Sequence, residues 1–164
     1  MSIRDTVLKY AADPEQLAKD LDVETSINRA NTFEDTLEVS RRYTYWGQLL
    51  ACAEDLYAAH NDLHKRATAE AKEKTRERLD KIGDKATDGR AADLSILDQE
   101  VIKQARFVRI LQRTCKAIEA GVHGLSKKQF MLTHVMNRDK AEFGNIPLET
   151  LTQNYRNQFA AKES

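Results

Sequence analysis

Residues 97–125, LDQEVIKQARFVRILQRTCKAIEAGVHGL, decide the fold. Leu97, Val101, Ala105, Val108, Leu111, Cys115, Ile118, Val122 and Leu125 recur in steps of three and four, eight steps over 28 residues. A mean of 3.5 residues per step is the period of a helix that supercoils left-handedly against another helix, whereas a half-buried strand would alternate every second residue. The helix is expected to begin near Ser95, because Ser95-Ile96-Leu97-Asp98 has the form of a capping box with a short acid in third place. Gly121 and Gly124 could break it, with Ser126-Lys127-Lys128-Gln129 capping a new helix. Continuity to about Arg138 is the expectation, with or without a kink.

A helix with an apolar seam needs a partner, and the nearest lies upstream. From about Thr25 to Ile82 there is no Pro and the one Gly, Gly47, stands beside Trp46, where a close packing contact or a slight bend fits. Trp46, Leu49, Ala53, Leu56, His60, Leu63 and Ala67 alternate by three and four, and the seam thins through Ala71, Thr75, Arg78 and Ile82. At 1.5 Å per residue such a helix is ~80 Å long. A connection near 83–94 folds the second helix back on the first, giving an all-α, long antiparallel helical hairpin of coiled-coil type over 25–140. Short helices occupy 1–24, the second of them opened by Asp13-Pro14-Glu15 and closing near Leu21. Over 141–164, PLETLTQNYRNQF places Leu148, Leu151, Tyr155 and Phe159 on one face of a docking or oligomerisation helix.

Composition agrees with this class. In 164 residues, 41% apolar and 32% charged, six Gly and two Pro leave little material for turns. A hairpin of this length buries less surface per residue than a compact ball, so a homo-oligomer is expected. Cys52 and Cys115 lie on apolar helix faces without metal-ligand spacing and read as reduced core residues of a cytoplasmic protein. No apolar run approaches the ~20 residues that span a bilayer, and MSIRDTVLKY lacks the apolar centre of a signal peptide.

Net charge is zero, but residues 11–40 hold eight acids against two bases, and residues 103–140 hold nine bases against two acids. Such asymmetry points to an acidic end that meets a basic end, or to a basic face for an anionic polymer. With Lys103 at 0° and 100° per residue, Val101, Ala105, Val108, Leu111, Cys115 and Ile118 fall between about 60° and 200°. Arg106, Arg109, Arg113 and Lys116 fall with Lys103 between about 220° and 360°. The helix therefore carries a basic stripe opposite its packing stripe. Ile102 and Ile110 lie inside the basic stripe and Phe107 at its margin, a pattern that fits contact with a neighbouring subunit as well as with phosphates.

At the other end of the connection, KTRERLDKIGDKATDGRAAD (74–93) mixes Lys74, Arg76, Arg78 and Lys81, with Lys72 just before, among Glu73, Glu77 and Asp80. It reads either as a solvated helix end or as flexible cations that follow an irregular single strand. His60 and His64 have a metal-binding spacing but no third ligand, and His60 continues the apolar seam. No carboxylate pair is set apart for acid or base work, and neither a phosphate loop nor a serine elbow is present. No enzyme, cofactor or metal is expected.

RRYTYWGQLL (41–50), EAKEKTRERLD (70–80) ahead of a Gly-containing loop, and EVIKQARFVRILQRTCKAIEAGV (100–122) lie within residues 41–122, half of the chain. In that order they resemble the phage recombination mediators of the UvsY type. The resemblance implies a helical, ring-like homo-oligomer that binds single-stranded DNA without sequence specificity and helps a recombinase displace the single-strand-binding protein. It places DNA contact at Arg76 and Arg78, the two basic positions before Leu79-Asp80. The chain departs from the family pattern by about one heptad between Trp46 and Arg78, by its loop, and by Glu77 between the arginines. Around that pair the nucleic-acid-binding set is Lys72, Lys74, Lys81, Arg106, Arg109 and Arg113, and the partner interface is Ile102, Phe107, Ile110, Leu148, Leu151, Tyr155 and Phe159. A protein of this kind would be expected in the host cytoplasm if phage-encoded. The alternative is a coiled-coil adaptor, or a phage inhibitor that grips a host protein, with no DNA contact.

Overall fold

The computed structural model describes residues 2–27, 32–84 and 87–143, so Leu148, Leu151, Tyr155 and Phe159 lie outside the described residues. Among the described residues five helices follow in order: α1 (Ile3–Ala12), α2 (Pro14–Thr25), α3 (Thr32–Lys81), α4 (Asp88–Ser95) and α5 (Gln99–Phe143). No strand occurs among the described residues. The protein is all-helical and built around a long helix pair, α3 of 50 residues and α5 of 45. No helix among the described residues is long and apolar enough to cross a membrane.

The short helices have local causes. Ser2 caps α1, its hydroxyl accepting from the Asp5 N–H at 3.1 Å while its own N–H donates to Asp5 Oδ2 at 3.2 Å. Side-chain hydrogen bonding with Ser2, followed by the bond from the Ser2 backbone, holds the Asp5 carboxyl below its ordinary value. Val7, Tyr10 and Ala11, spaced i, i+3, i+4, form the buried face of α1. In α2 the helix runs past Leu21, where the sequence led us to end it, as far as Thr25. The Thr25 and Ser26 hydroxyls then donate back to the carbonyls of Leu21 and Val23, at 2.7 and 2.9 Å, and close the helix. Thr25 therefore ends α2 instead of opening α3.

Three expectations for the return segment need correction. Residues 88–95, expected as connection, form α4, capped by the Thr87 hydroxyl accepting from the Arg90 N–H at 3.4 Å. Ser95 caps nothing: it ends α4 with 1% exposure and donates to the Ala92 carbonyl at 2.7 Å. Asp98 takes over ahead of α5, its Oδ1 accepting from the Glu100 N–H at 2.9 Å. Leu97, placed in the seam by periodicity, sits in the turn with 70% exposure. Helix α5 is continuous through both Gly121 and Gly124.

Contacts divide the chain into two units, and α3 and α5 each contribute a stretch to both. Unit 1 comprises Met1–Pro14 and Gln48–Ile118. Its core is Val7 and Tyr10 from α1, Leu49, Ala53, Leu56, Ala71 and Leu79 from α3, Ala91 from α4, and Val101, Leu111 and Ile118 from α5. Leu49, Leu111 and Ile118 are wholly buried, and each such side chain contributes about 1.5–3 kcal/mol of transfer free energy. Along α3 the inward positions are Leu49, Ala53, Leu56, His60, His64, Ala67, Ala71, Thr75 and Leu79, whereas Leu63, Arg78 and Ile82 are exposed. That seam covers 30 residues in eight steps, a longer step than the 3.5 of a heptad repeat. Eight heptad steps cover only about 28 residues, so an alternation of three and four falls short and picks Leu63 and Arg78 in place of His64 and Leu79.

Unit 2 comprises Glu15–Gly47 and Glu119–Ser164. Leu17, Val39, Trp46, Leu125 and Leu132 are buried in it, together with Gly121. A Cβ at Gly121 would lie 2.1 Å from Leu21 Cδ2, and one at Gly124 would lie 2.7 Å from Thr25 Cγ2. The glycines thus form a notch that receives one face of α2; they are not helix breaks. Gly47 differs, since a Cβ there meets nothing within 4 Å.

Unit 2 also buries charge. Lys128 is 3% exposed, and its ammonium donates to Asp35 Oδ1 at 3.1 Å and to the Glu24 carbonyl at 3.2 Å. Arg42 adds ion pairs to Glu24 at 3.3 Å, to Asp35 at 3.9 Å and to Glu38. Burial works to lower the Arg42 pKa, but the hydrogen bond to Glu38 and the charges of Glu24, Glu38 and Asp35 outweigh it and raise the value. The acid-rich residues 11–40 therefore do meet a base from residues 103–140, through Lys128.

Candidate nucleic-acid interface

The turn after α3 is fixed by backbone geometry. Gly83 has φ +73°, the Gly83 N–H donates to the Asp80 carbonyl at 3.1 Å, and the Asp84 N–H donates to the Leu79 carbonyl at 3.1 Å. This is the paired 5→2 and 6→1 pattern of a Schellman motif, which needs a left-handed residue and hence Gly. Ion pairs cross the turn: Arg76 bonds Asp88 of α4 and lies 3.7 Å from Glu73, while Arg90 reaches Asp84 at 2.7 Å.

These pairs separate the predicted cations. Arg76 spends its guanidinium on two carboxylates and braces the turn. Arg78, Lys74 and Lys81 are exposed, Lys72 is half-buried, and none of the four has an ion-pair partner among the described residues. Arg76 and Arg78 are therefore not an equivalent pair. Glu73, Glu77 and Asp80 interleave with them, so the local net charge stays small.

On α5 the arrangement is different. Between Val101 and Ile118 there are five cations and no acid. Lys103, Arg106, Arg109, Arg113 and Lys116 are all exposed and have no ion-pair partner among the described residues. Spaced by three or four, they occupy one face over ~20 Å of helix. Val101, Leu111, Thr114 and Ile118 form the opposite, buried face. Thr114, missed by sequence reading because it is polar, is buried and donates its hydroxyl to the Ile110 carbonyl at 3.1 Å.

The apolar residues within the stripe also have a place. Ile102 and Ile110 are 37% and 39% exposed, and Phe107 is half-buried against His60 of α3, the ring centroids 4.5 Å apart and the planes at 70°. This edge-to-face pair explains His60 as a packed seam histidine. No group of three or more metal-ligating side chains occurs among the described residues. Cys52 and Cys115 form no disulfide among the described residues.

Summed over the two regions, the geometry can hold an extended polyanion along α5 through charge, with the turn of α3 as an outlying group of cations. No family model, curated protein or solved structure matches the chain.

Proposed function

We propose that this protein is a non-enzymatic, single-stranded-DNA-binding mediator of homologous recombination, acting in the cytoplasm as a homo-oligomer. In this reading α3 and α5 form an antiparallel hairpin, and a ring-like assembly of hairpins offers many cations that hold the strand through summed counterion release. The strand so held is presented to a recombinase in exchange for the single-strand-binding protein, the role that the resemblance to UvsY-type mediators implies. The observation that carries the reading is the exposed, acid-free row Lys103, Arg106, Arg109, Arg113 and Lys116. Apolar side chains left exposed in unit 2, Leu37 at 65% and Phe130 at 65%, support self-association.

The test is fluorescence anisotropy of labelled single and duplex strands against salt, with protein sized by light scattering. If the five cations each meet a phosphate, log K falls with log salt with a slope of about −3.5 for a single strand. Replacing Arg106, Arg109 and Arg113 by Gln lowers the magnitude of that slope by about 2. A well-formed protein that ignores both strands at low salt refutes the proposal. One observation favours a protein-binding adaptor: Ile82, Ile96 and Leu97 stand 73%, 59% and 70% exposed around the turn. An adaptor would keep its partner when the α5 arginines are neutralised.

A further inference from the structure

Cations and apolar groups on the outer face of α5 come in neighbouring couples: Ile102 with Lys103, Phe107 with Arg106, Ile110 with Arg109. Three of these apolar side chains and two of the cations line one groove of about 610 Å³, closed on the α3 side by His60. The volume lies within the range of small-molecule pockets. Gln104, also on the groove, donates from Nε2 to Glu100 Oε1 at 2.8 Å. That bond fixes the amide orientation and leaves Gln104 Oε1 as a buried acceptor with no partner among the described residues.

Resting on the single-strand reading above, we propose that this groove receives an unstacked base of the bound strand. Phe107, Ile102 and Ile110 supply the apolar and π surface on which a base face lies. Lys103 and Arg106 stand beside that surface, where the phosphates flanking the inserted base need positive charge. A nucleotide offers the face and the anion together. An acidic peptide offers only the anion. The groove thus adds to the phosphate row a hold on bases that is insensitive to salt and tolerant of sequence.

The experiment compares a labelled deoxycytidine strand with an abasic strand of equal length and charge. Wild-type protein is expected to prefer the base-bearing strand by about tenfold or more, the range of one stacked base. Phe107→Leu loses that preference while its salt slope stays unchanged, and Ile110→Gln gives the same result if Phe107→Leu fails to fold by circular dichroism. Equal, salt-sensitive binding of both strands by the wild type overturns the base slot and leaves the mediator reading standing. Binding of neither strand at low salt removes the mediator reading and the slot with it. A Phe107→Leu protein that changes its oligomeric size but keeps the base preference makes the groove a subunit interface and overturns the slot.

Discussion

Lys128→Met breaks the buried ion pair on which the stability of unit 2 is expected to depend most. The ammonium it removes is 3% exposed, and its carboxylate partner, Asp35, is 9% exposed, so the loss leaves an anion in the interior. At 3.1 Å and an effective dielectric of 20, the attraction between the two charges is about 5 kcal/mol, offset by several kcal/mol of desolvation per ion. Breaking one partner of such a pair costs about 3–5 kcal/mol. Arg42, 3.9 Å from Asp35, recovers part of this, which places Lys128→Met near the lower figure. Asp35→Leu leaves Lys128 with only the Glu24 carbonyl and belongs at the upper one. The double variant Asp35→Leu/Lys128→Met removes both charges and is expected within about 1 kcal/mol of wild type, because an apolar pair substitutes well for a buried ion pair. Urea unfolding followed by circular dichroism, at two protein concentrations, reads all three. A loss of 4 kcal/mol lowers the midpoint by roughly 2 M for a slope near 2 kcal/mol/M. Single variants that each cost under about 1 kcal/mol, or a double variant equal to their sum, would refute the claim that the two charges depend on each other.

Gly121→Ala places a methyl group 2.1 Å from Leu21 Cδ2, and overpacking of about 1–3 kcal/mol exceeds the ~1 kcal/mol gained in helix propensity, so the melting temperature falls. The second-site change Leu21→Ala is expected to restore part of it, and failure to do so argues against the notch. Gly47→Ala, with nothing within 4 Å, is expected to stabilise by about 0.5–1 kcal/mol; a destabilised variant would reveal a close neighbour at that position in the assembled protein. Asp5 has its carboxyl held below the ordinary value in the folded state, so its contribution is present above about pH 4, the unfolded range, and lost as pH falls through the folded pKa. Asp5→Asn should flatten the acid limb of stability against pH, and an unchanged limb would assign acid sensitivity elsewhere. Arg76→Ala is expected to loosen the turn, seen as faster amide exchange in α4, with a smaller change in the salt slope of DNA binding than Arg78→Ala. The opposite ranking would make Arg76 the strand contact.

Helices were legible wherever their determinants are local. The period of α5 and the Asp13-Pro14 start of α2 are written in neighbouring residues, and both helices form there. The Ser2–Asp5 capping box was equally local, and the spacing Ser-x-x-Asp was available to find it. Tertiary choices were not legible. Ser95 and Asp98 are both good caps by chemistry, and the burial of Ser95 at the end of α4 decides between them. Lys128 looks like one more surface base until Asp35, 93 residues away, is brought to it. Gly121 and Gly124 carry no local sign of whether they break a helix or admit a neighbour. For the candidate interface, the angular sorting of the α5 cations placed all of them on the exposed face. The engagement of Arg76 by Asp88 depends on α4, a helix that Gly89 and the surrounding Asp and Thr residues disguised as loop.

Unit 2 is assembled from two pieces of chain, Glu15–Gly47 and Glu119–Ser164, with Gln48–Ile118 of unit 1 between them. Its contacts, such as Lys128 with Glu24 and Asp35, span about a hundred residues, and loop closure over such separations is slow and entropically costly until the intervening chain has folded. Folding is therefore expected to be nested, the contiguous middle of the chain collapsing first and shortening the search for the outer pieces. A lesion in the middle, such as loss of Leu56 or Leu111, delays both units, while a lesion at Lys128 leaves the middle free to form. On a ribosome the order has a further effect, since Arg42 emerges soon after Glu24, Asp35 and Glu38, whereas the ammonium that completes the Asp35 site emerges some ninety residues later.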